Sequence, residues 1–298
     1  MIRPTGAAPA RPPTGNDTVK HDVWMITGCS SGFGRELATV LLERGGRVVA
    51  TARDRARLDD LATLGGDRLL PLRLDVTDAD EAREAVRLAI ERFGRIDALV
   101  NNAGRGHSGA VEEVTDAETR ALFELNVFGL LTVTRAVLPG MRARRHGAVV
   151  NIGSVAGLLA RPGTGIYAAT KFALEGMTQA LRAELEPLGI RAMMVEPGPF
   201  RTHFQGSMTR TPPSIDDYAP TAWARIAQTA AGHGRQAGDP RRAATAIVDA
   251  IESGAPPLNL VLGAQALGLV RAELDRLRGE LDAWETVSRG ADFPEPAP

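Results

Sequence analysis

Tyr167 and Lys171 stand four residues apart in Tyr167-Ala168-Ala169-Thr170-Lys171, a spacing that puts a phenol and an ammonium on one face of a helix. A free phenol, with a pKa near about 10, exchanges protons poorly at neutral pH, and a cation beside it favours the phenolate. Moving it by roughly two units corresponds to about 3 kcal/mol, a size that close charges reach in a partly dry site. The pair alone also reads as a surface contact, because Y-x-x-x-K arises often by chance. Ser154 adds a hydroxyl at the end of the apolar run in Asn151-Ile152-Gly153-Ser154, where it can donate to an oxygen on which negative charge develops. A third segment, Thr27-Gly28-Cys29-Ser30-Ser31-Gly32-Phe33-Gly34, is a glycine-rich turn. Glycines let the backbone approach a pyrophosphate closely, and the N-terminus of a following helix attracts one. Glycine turns are common, so its weight depends on what surrounds it.

The surrounding elements alternate. Short apolar runs at 23–27, 47–51, 69–74, 97–100, 148–152 and 191–195 read as strands. Amphipathic stretches at about 33–43, 55–64, 77–93, 117–141 and 167–188 read as helices between them. Fully apolar strands alternating with helices imply one doubly wound parallel sheet, an α/β Rossmann fold of about seven strands with helices on both faces. The glycine turn then follows the first strand and Ser154 the fifth, so both face the crevice at the carboxyl ends of the strands. Regular alternation is lost over 203–240, a loop long enough to be a substrate lid. A helix at 241–252, a seventh strand at 258–262 and a last helix at about 265–288 follow. The last carries Leu269, Val270, Leu274, Leu277, Leu281 and Trp284 at helical spacing, a stripe that suits packing on the domain or on a partner subunit. The organisation expected is a flexible tail over 1–20, a dinucleotide-binding and catalytic domain over 21–263, and a helical extension over 264–298.

Composition narrows the partners. With 298 residues and a formal net charge of -1, the chain gives no electrostatic reason to expect nucleic acid or an anionic membrane. One cysteine, Cys29, excludes an intramolecular disulfide and fits a reducing, cytoplasmic compartment. No apolar run reads as long enough to span a membrane, and the first twenty residues lack the apolar segment of a secretory signal. The five histidines, His21, His107, His146, His203 and His233, show no zinc-ligand spacing, so no metal is expected, and surface placement is expected for His107 and His203.

Taken together, the glycine turn, Asp75-Val76, Asn101-Asn102-Ala103-Gly104, Asn126, Ser154, Tyr167 with Lys171, and Pro197-Gly198 resemble, in order, the motifs of the short-chain dehydrogenase/reductase family. The resemblance is close over about 23–202, looser to 262, and does not extend to the tail or the final helix. It implies an oxidoreductase that reduces a ketone or aldehyde to an alcohol, or the reverse, with Asn126, Ser154, Tyr167 and Lys171 catalytic. It implies a nicotinamide dinucleotide held by Thr27, Gly28, Ser30, Ser31, Gly32, Phe33, Gly34, Asp75, Val76, Asn102, Ala103, Gly104, Tyr167, Lys171, Pro197, Gly198 and Thr202. In that comparison Asp75 accepts from the adenine amino group and Lys171 holds the nicotinamide ribose. Asn126 marks a local helix distortion that holds a water for proton relay, and Asn126 and Gly129 inside an apolar helix are otherwise costly.

Two choices within the family rest on single residues. Ala52 stands where NAD-dependent relatives carry Asp, and Arg53 follows it; a guanidinium suits a 2′-phosphate. NADP is therefore expected over NAD, with Asp54 as a competing partner for Arg53. Leu158, Leu159, Ile166 and Phe204 flank the expected active tyrosine and point to a largely apolar carbonyl or alcohol substrate. A 3-oxoacyl thioester on coenzyme A or a carrier protein is the alternative, and the basic run Arg142, Arg144, Arg145 is the surface that an acidic carrier would use. A non-catalytic dinucleotide sensor is the alternative of another class. Cys29 reads as a small filler of the turn. Relatives commonly assemble, so a homodimer or homotetramer is expected.

Overall fold

The computed structural model describes residues 22–293; the expected tail over 1–20 lies outside the described residues. Among the described residues nine strands occur in chain order: β1 (Val23–Ile26), β2 (Arg47–Ala52), β3 (Leu69–Arg73), β4 (Ala98–Asn101), β5 (His107–Ser108), β6 (Gly147–Ile152), β7 (Ile190–Pro197), β8 (Thr209–Arg210) and β9 (Asn259–Leu262). Seven of them form one parallel sheet in the order β3-β2-β1-β4-β6-β7-β9. Its inner strands are buried on both faces, as a sheet covered by helices requires.

The helices are α1 (Gly32–Glu43), α2 (Leu61–Gly65), α3 (Ala79–Phe93), α4 (Asp116–Phe123), α5 (Gly129–Arg144), α6 (Gly165–Leu185), α7 (Ala224–Ala231), α8 (Pro240–Glu252), α9 (Ala264–Ala283) and α10 (Glu285–Arg289). On one face of the sheet α1 and α8 bury Leu37, Leu41, Ile247 and Val248 against Trp24, Val48 and Val150. On the other, α3, α5 and α6 bury Ala85, Val137, Met141 and Leu185 against Met25, Val49 and Val149. Helix starts follow their caps: Asp78 accepts from the Asp80 and Glu81 amides to open α3, and Thr115 with Glu118 forms a capping box on α4.

Three expectations change in detail. The helix expected over 55–64 splits into a 3-10 turn at Arg55–Leu58 and the short α2, because Asp54 caps the first turn separately. The single helix expected over 117–141 is α4, a π-helical turn at Glu124–Phe128, then α5. That continuous stretch, Asp116–Arg144, is also long and apolar enough by length and composition to cross a membrane, contrary to the reading from the sequence. Its apolar side is spent on the core, where Val133, Val137 and Met141 are fully covered.

One buried polar ladder ties these layers together. Asn101 on β4 and Asn151 on β6 are register partners. The Asn101 amide donates to Asn151 Oδ1 and to Thr134 Oγ1 of α5, each at 2.9 Å, and the Asn151 amide donates to Thr178 Oγ1 of α6 at 2.9 Å. Two strands and two helices are thus fixed by four side chains with almost no access to water. Asn151→Ala leaves one N–H of the Asn101 amide without an acceptor and a cavity beside Thr178, whose hydroxyl keeps its bond to Leu174 O, so it should cost about 2–4 kcal/mol, read as a lowered midpoint in urea unfolding with an unchanged slope.

Candidate active site

At the carboxyl end of β1 the glycine turn closes on β4. Gly28 has φ +73, and a Cβ there would come within 3.0 Å of Ala103 Cα; at Gly34 it would meet Gly28 O and Asn102 Nδ2, each at 2.5 Å. Only glycine fits both positions. Thr27 Oγ1 accepts from the Asn102 and Ala103 amides at 2.9 Å, and the Asn102 side chain donates to Thr27 O and Gly28 O at 2.8 and 3.0 Å. The Asn102 amide group therefore braces the turn, a task that the sequence did not reveal. Ser31 precedes α1 in extended conformation and makes no side-chain cap, which leaves the first N–H groups of α1 for an anion. Thr202 lies across from Gly32, 3.8 Å from where a Cβ would stand. A pyrophosphate fits this cradle by charge and by room.

Along the same edge, Ala52 ends β2 buried and Arg53 is exposed. Asp54 does not engage Arg53 through an ion pair; its carboxylate accepts from the Ala56 amide at 3.1 Å. Asp75 Oδ1 accepts from the Thr77 amide at 3.1 Å and its hydroxyl at 2.8 Å. Burial works to raise the Asp75 carboxyl, but Thr77, with Arg53 and Arg73 beyond, holds it below the usual range. Val76 packs where a side chain at Gly129 would collide with it, 2.7 Å from the virtual Cβ. Pro197 closes β7, and the Gly198 amide donates to Leu262 O at 3.0 Å. Cys29 is buried, its Sγ directed to Ile26 O, and its thiol is pushed up to about 12 by burial, so it fills space and does not ionise.

The reacting groups gather at the end of β6. Ser154 caps the turn at Val155–Gly157, its Oγ accepting from the Ala156 amide at 3.1 Å, and the same hydroxyl lies close enough to the Tyr167 phenol to favour its ionised form. Tyr167 is buried near the start of α6, and the Phe204 ring lies 6.0 Å from its own. Lys171 Nζ sits 5.8 Å from the Tyr167 ring centre and donates to Ile152 O at 2.9 Å. Asn126 lies inside the π-helical turn. Its Oδ1 accepts from the Arg105 amide at 3.0 Å, and its amide donates to Arg105 O at 3.0 Å and Thr170 Oγ1 at 3.2 Å. Asn126 thus joins the loop after β4 to the turn of α6 that carries Lys171. The four sequence-derived catalytic candidates stand in one neighbourhood.

The electrostatics differ from the sequence expectation. In the protein alone burial dominates and pushes the Tyr167 phenol up, with the nearby Ser154 hydroxyl only partly opposing it. Burial lowers Lys171 to about 8, against the pull of Glu196. A phenol kept protonated at neutral pH is a proton donor in waiting.

Glu196, which sequence reasoning passed over, lies fully buried beneath this group at the end of β7. Its Oε2 accepts from the Ser154 amide at 3.1 Å. Burial and the neighbouring Glu175 carboxylate raise it to about 9, although Lys171 pulls the other way. Glu175 Oε1 accepts from Asn259 at 2.7 Å and Gln179 at 2.8 Å. Glu196 Oε1 and Glu175 Oε2 have no donor, and the two carboxyls are within hydrogen-bonding reach, so one shared proton satisfies both. The signal in the sequence was a carboxylate inside the apolar run just before Pro197-Gly198.

The lid segment is built, not bare. It holds β8, a π-helical turn at Ala219–Trp223 and α7. β8 pairs in parallel with β5. His107, buried where an exposed residue was expected, bridges Thr209 Oγ1 at 2.8 Å and Thr211 Oγ1 at 2.9 Å through its two ring nitrogens. Glu113 Oε1 accepts from the Ser214 and Ile215 amides at 2.6 and 2.8 Å. At the root of the lid the Phe200 ring meets Phe33 of the glycine turn edge-on at 5.1 Å. His203 is exposed, as expected.

The chain matches the short chain dehydrogenase family model over residues 22–213 and belongs to that family. An oxidoreductase of Botryotinia fuckeliana is 32% identical over 89% of this chain and 97% of its own. A 3-ketodihydrosphingosine reductase of Bacteroides thetaiotaomicron is 36% identical over 82% and 89%. Among solved structures, a short-chain dehydrogenase from Streptomyces avermitilis is 44% identical and superposes with TM-score 0.86, covering 92% of this chain and all of that one. A serine dehydrogenase complexed with NADP+ (27%, TM-score 0.70, covering 80% and 94%) and a Burkholderia phymatum enzyme in complex with NAD (25%, 0.76, 93% and 98%) share the fold. The chain is thus an oxidoreductase built for a nicotinamide dinucleotide.

Glu196 carries its own pH signature. A carboxyl at about 9 in the fold and 4.5 in the unfolded chain contributes fully below the lower value and loses stability as pH rises through the window to the higher one. Glu196→Gln keeps an acceptor for Ser154 and donates permanently to Glu175. The variant should match the wild type near about pH 5 and exceed its melting temperature by several degrees near about pH 8, measured by calorimetry across that range.

Proposed function

We propose that this chain is an NADP-preferring reductase of a largely apolar ketone or aldehyde, or the dehydrogenase of the matching alcohol, with Tyr167 as general acid and base. The observation that carries the reading is the contact of the Ser154 hydroxyl with the Tyr167 phenol at the strand end beside the glycine cradle, with Lys171 buried behind them. A dinucleotide held on the glycine cradle would supply hydride to the substrate carbon. Ser154 Oγ and the Tyr167 hydroxyl hold the carbonyl oxygen, and as negative charge grows there the phenol releases its proton to it. Lys171, charged below about pH 8, stabilises the phenolate left behind. Asn126 holds the Arg105 loop and Thr170 in register with Lys171, the side from which a proton returns.

Preference for the 2′-phosphate rests on Arg53, which is exposed at the end of β2 while Asp54 is occupied as a cap. An apolar substrate suits Phe204, exposed beside the Tyr167 ring, with Leu158, Leu159 and Ile166 half-buried in the stretch that leads into it. The relative named 3-ketodihydrosphingosine reductase keeps long-chain 3-oxo compounds, including 3-oxoacyl thioesters, among the substrates to test. Carrier docking on Arg142, Arg144 and Arg145 is not favoured. These residues end α5 just before β6, whereas Ser154 follows its far end, roughly 20 Å along the strand. Arg144 and Arg145 are also engaged with Ile96 O and Pro187 O, at 2.7 and 2.5 Å.

Tyr167→Phe should lower turnover of an apolar ketone by about 10²–10⁴-fold with little change in NADPH affinity; near-normal turnover, followed by NADPH absorbance, would overturn the assignment. Arg53→Ala should raise KM for NADPH by about ten- to a hundredfold and leave that for NADH nearly unchanged. Equal wild-type efficiency with the two cofactors would defeat the preference. Binding of NADPH with no oxidation across ketones, acyl thioesters, steroids and sugars would instead make the protein a dinucleotide sensor.

A further inference from the structure

From Leu274 onward every residue of α9 and α10 is exposed, so the helix leaves the body after the turn held by the buried Ala266. Apart from Leu269, half-buried with Ala266 at its root, and Val287 near its end, its large apolar residues fall on one side. Leu267, Val270, Leu274, Leu277, Leu281 and Trp284 recur at alternating steps of three and four, the 3.5-residue period of a two-helix seam rather than the broader stripe that faces a domain. Leu274, Leu281 and Trp284 are 57%, 64% and 63% exposed. Gly268 and Gly279 lie on the opposite side, each costing about 1 kcal/mol of helix propensity. A projecting helix with that burden needs packing from a partner to persist.

The flanking charges choose the partner. Glu273 and Glu280 border the seam on one side, Arg271 and Arg278 on the other, and Arg276 pairs with both glutamates along the helix. Laid parallel to a second copy, Glu273 meets Arg278 of the other chain on both sides of the seam, and the one opposed pairing is Glu280 with Glu285 near the end. Laid antiparallel, Glu273 meets Glu280 and Arg271 meets Arg278, like against like throughout. A membrane surface fits less well, because α9 and α10 hold four arginines and five carboxylates, whereas helices lying on anionic lipid are rich in cations on the polar face. We infer that the C-terminal helix is a self-association element, in which α9 of two copies of this chain pair in parallel through Leu267, Val270, Leu274, Leu277, Leu281 and Trp284.

The seam is about 26 Å long, short for a dimer interface, so assembly is read over a range of concentrations by sedimentation of the full chain. The double variant L274E/L281E should weaken association by about a hundredfold or more, giving half the wild-type mass at the same concentration, with NADPH turnover unchanged and a loss of helical circular dichroism no larger than α9 and α10 account for. Orientation is read separately. R278E alone should weaken the pair and E273R/R278E restore it. W284C should form a disulfide-linked dimer on oxidation, since parallel helices bring equivalent positions together and Cys29 is buried. A monomeric wild type, a mass that the double variant leaves unchanged, or helix-dependent flotation with anionic vesicles in place of self-association would overturn the inference. An uncoupled W284C with no charge-swap rescue would overturn the parallel arrangement.

Discussion

The ladder of Thr134, Asn101, Asn151 and Thr178 sets the spacing on which the site depends. Amides and hydroxyls sealed from water must meet each other at hydrogen-bond distance, and that requirement admits one register between β4 and β6 and one seating of α5 and α6. Ser154 follows Asn151 by three residues, just past the end of the same strand, and Tyr167 and Lys171 ride on the helix that Thr178 anchors. The chemistry therefore inherits its geometry from a polar network that takes no part in it. A second clamp, Thr27 with Asn102, does the same for the glycine turn.

Beneath the reacting groups lies an economy of charge. Lys171 is deprived of water and bonded to Ile152 O, Glu196 is held neutral by burial and by Glu175, and Tyr167 is kept protonated by burial. None of these groups sits at its ordinary protonation balance, and each biases another through distances that the β6 and β7 ends fix. Perturbed titration of several neighbours at one strand edge is what acid–base chemistry at neutral pH demands.

Much of this was legible in the residues. Strand and helix order followed from hydrophobic period, because parallel strands buried on both faces cannot hide their composition. Asn126 with Gly129, both poor helix formers, marked a distortion inside the helix read over 117–141, although its π-helical form and the break into α4 and α5 were not legible. Other features had no local signature. Glu196 looked like a strand-end carboxylate until Glu175 and Ser154 were brought to it from elsewhere in the chain. His107 became a buried brace only because β8 folds back beside β5, a pairing of two residues per strand that no periodicity encodes. The phenol went up instead of down, because burial is a property of the whole fold and not of the four-residue spacing to Lys171.

The strand order has a kinetic corollary. β1 is flanked by β2 and β4, and the bonds that seat its start run from the Asp22 and Val23 amides to Asp97 Oδ2, across 75 and 74 residues. Every pairing in the main sheet is a crossover of this kind, so contact order is high and closure entropy precedes the reward of each new strand. Ser154, Tyr167 and the glycine turn come from segments that meet only when the central strands have docked. A partly folded chain accordingly has no fragment of the site to offer, and regain of catalysis during refolding reports completion of the sheet, not the appearance of helices.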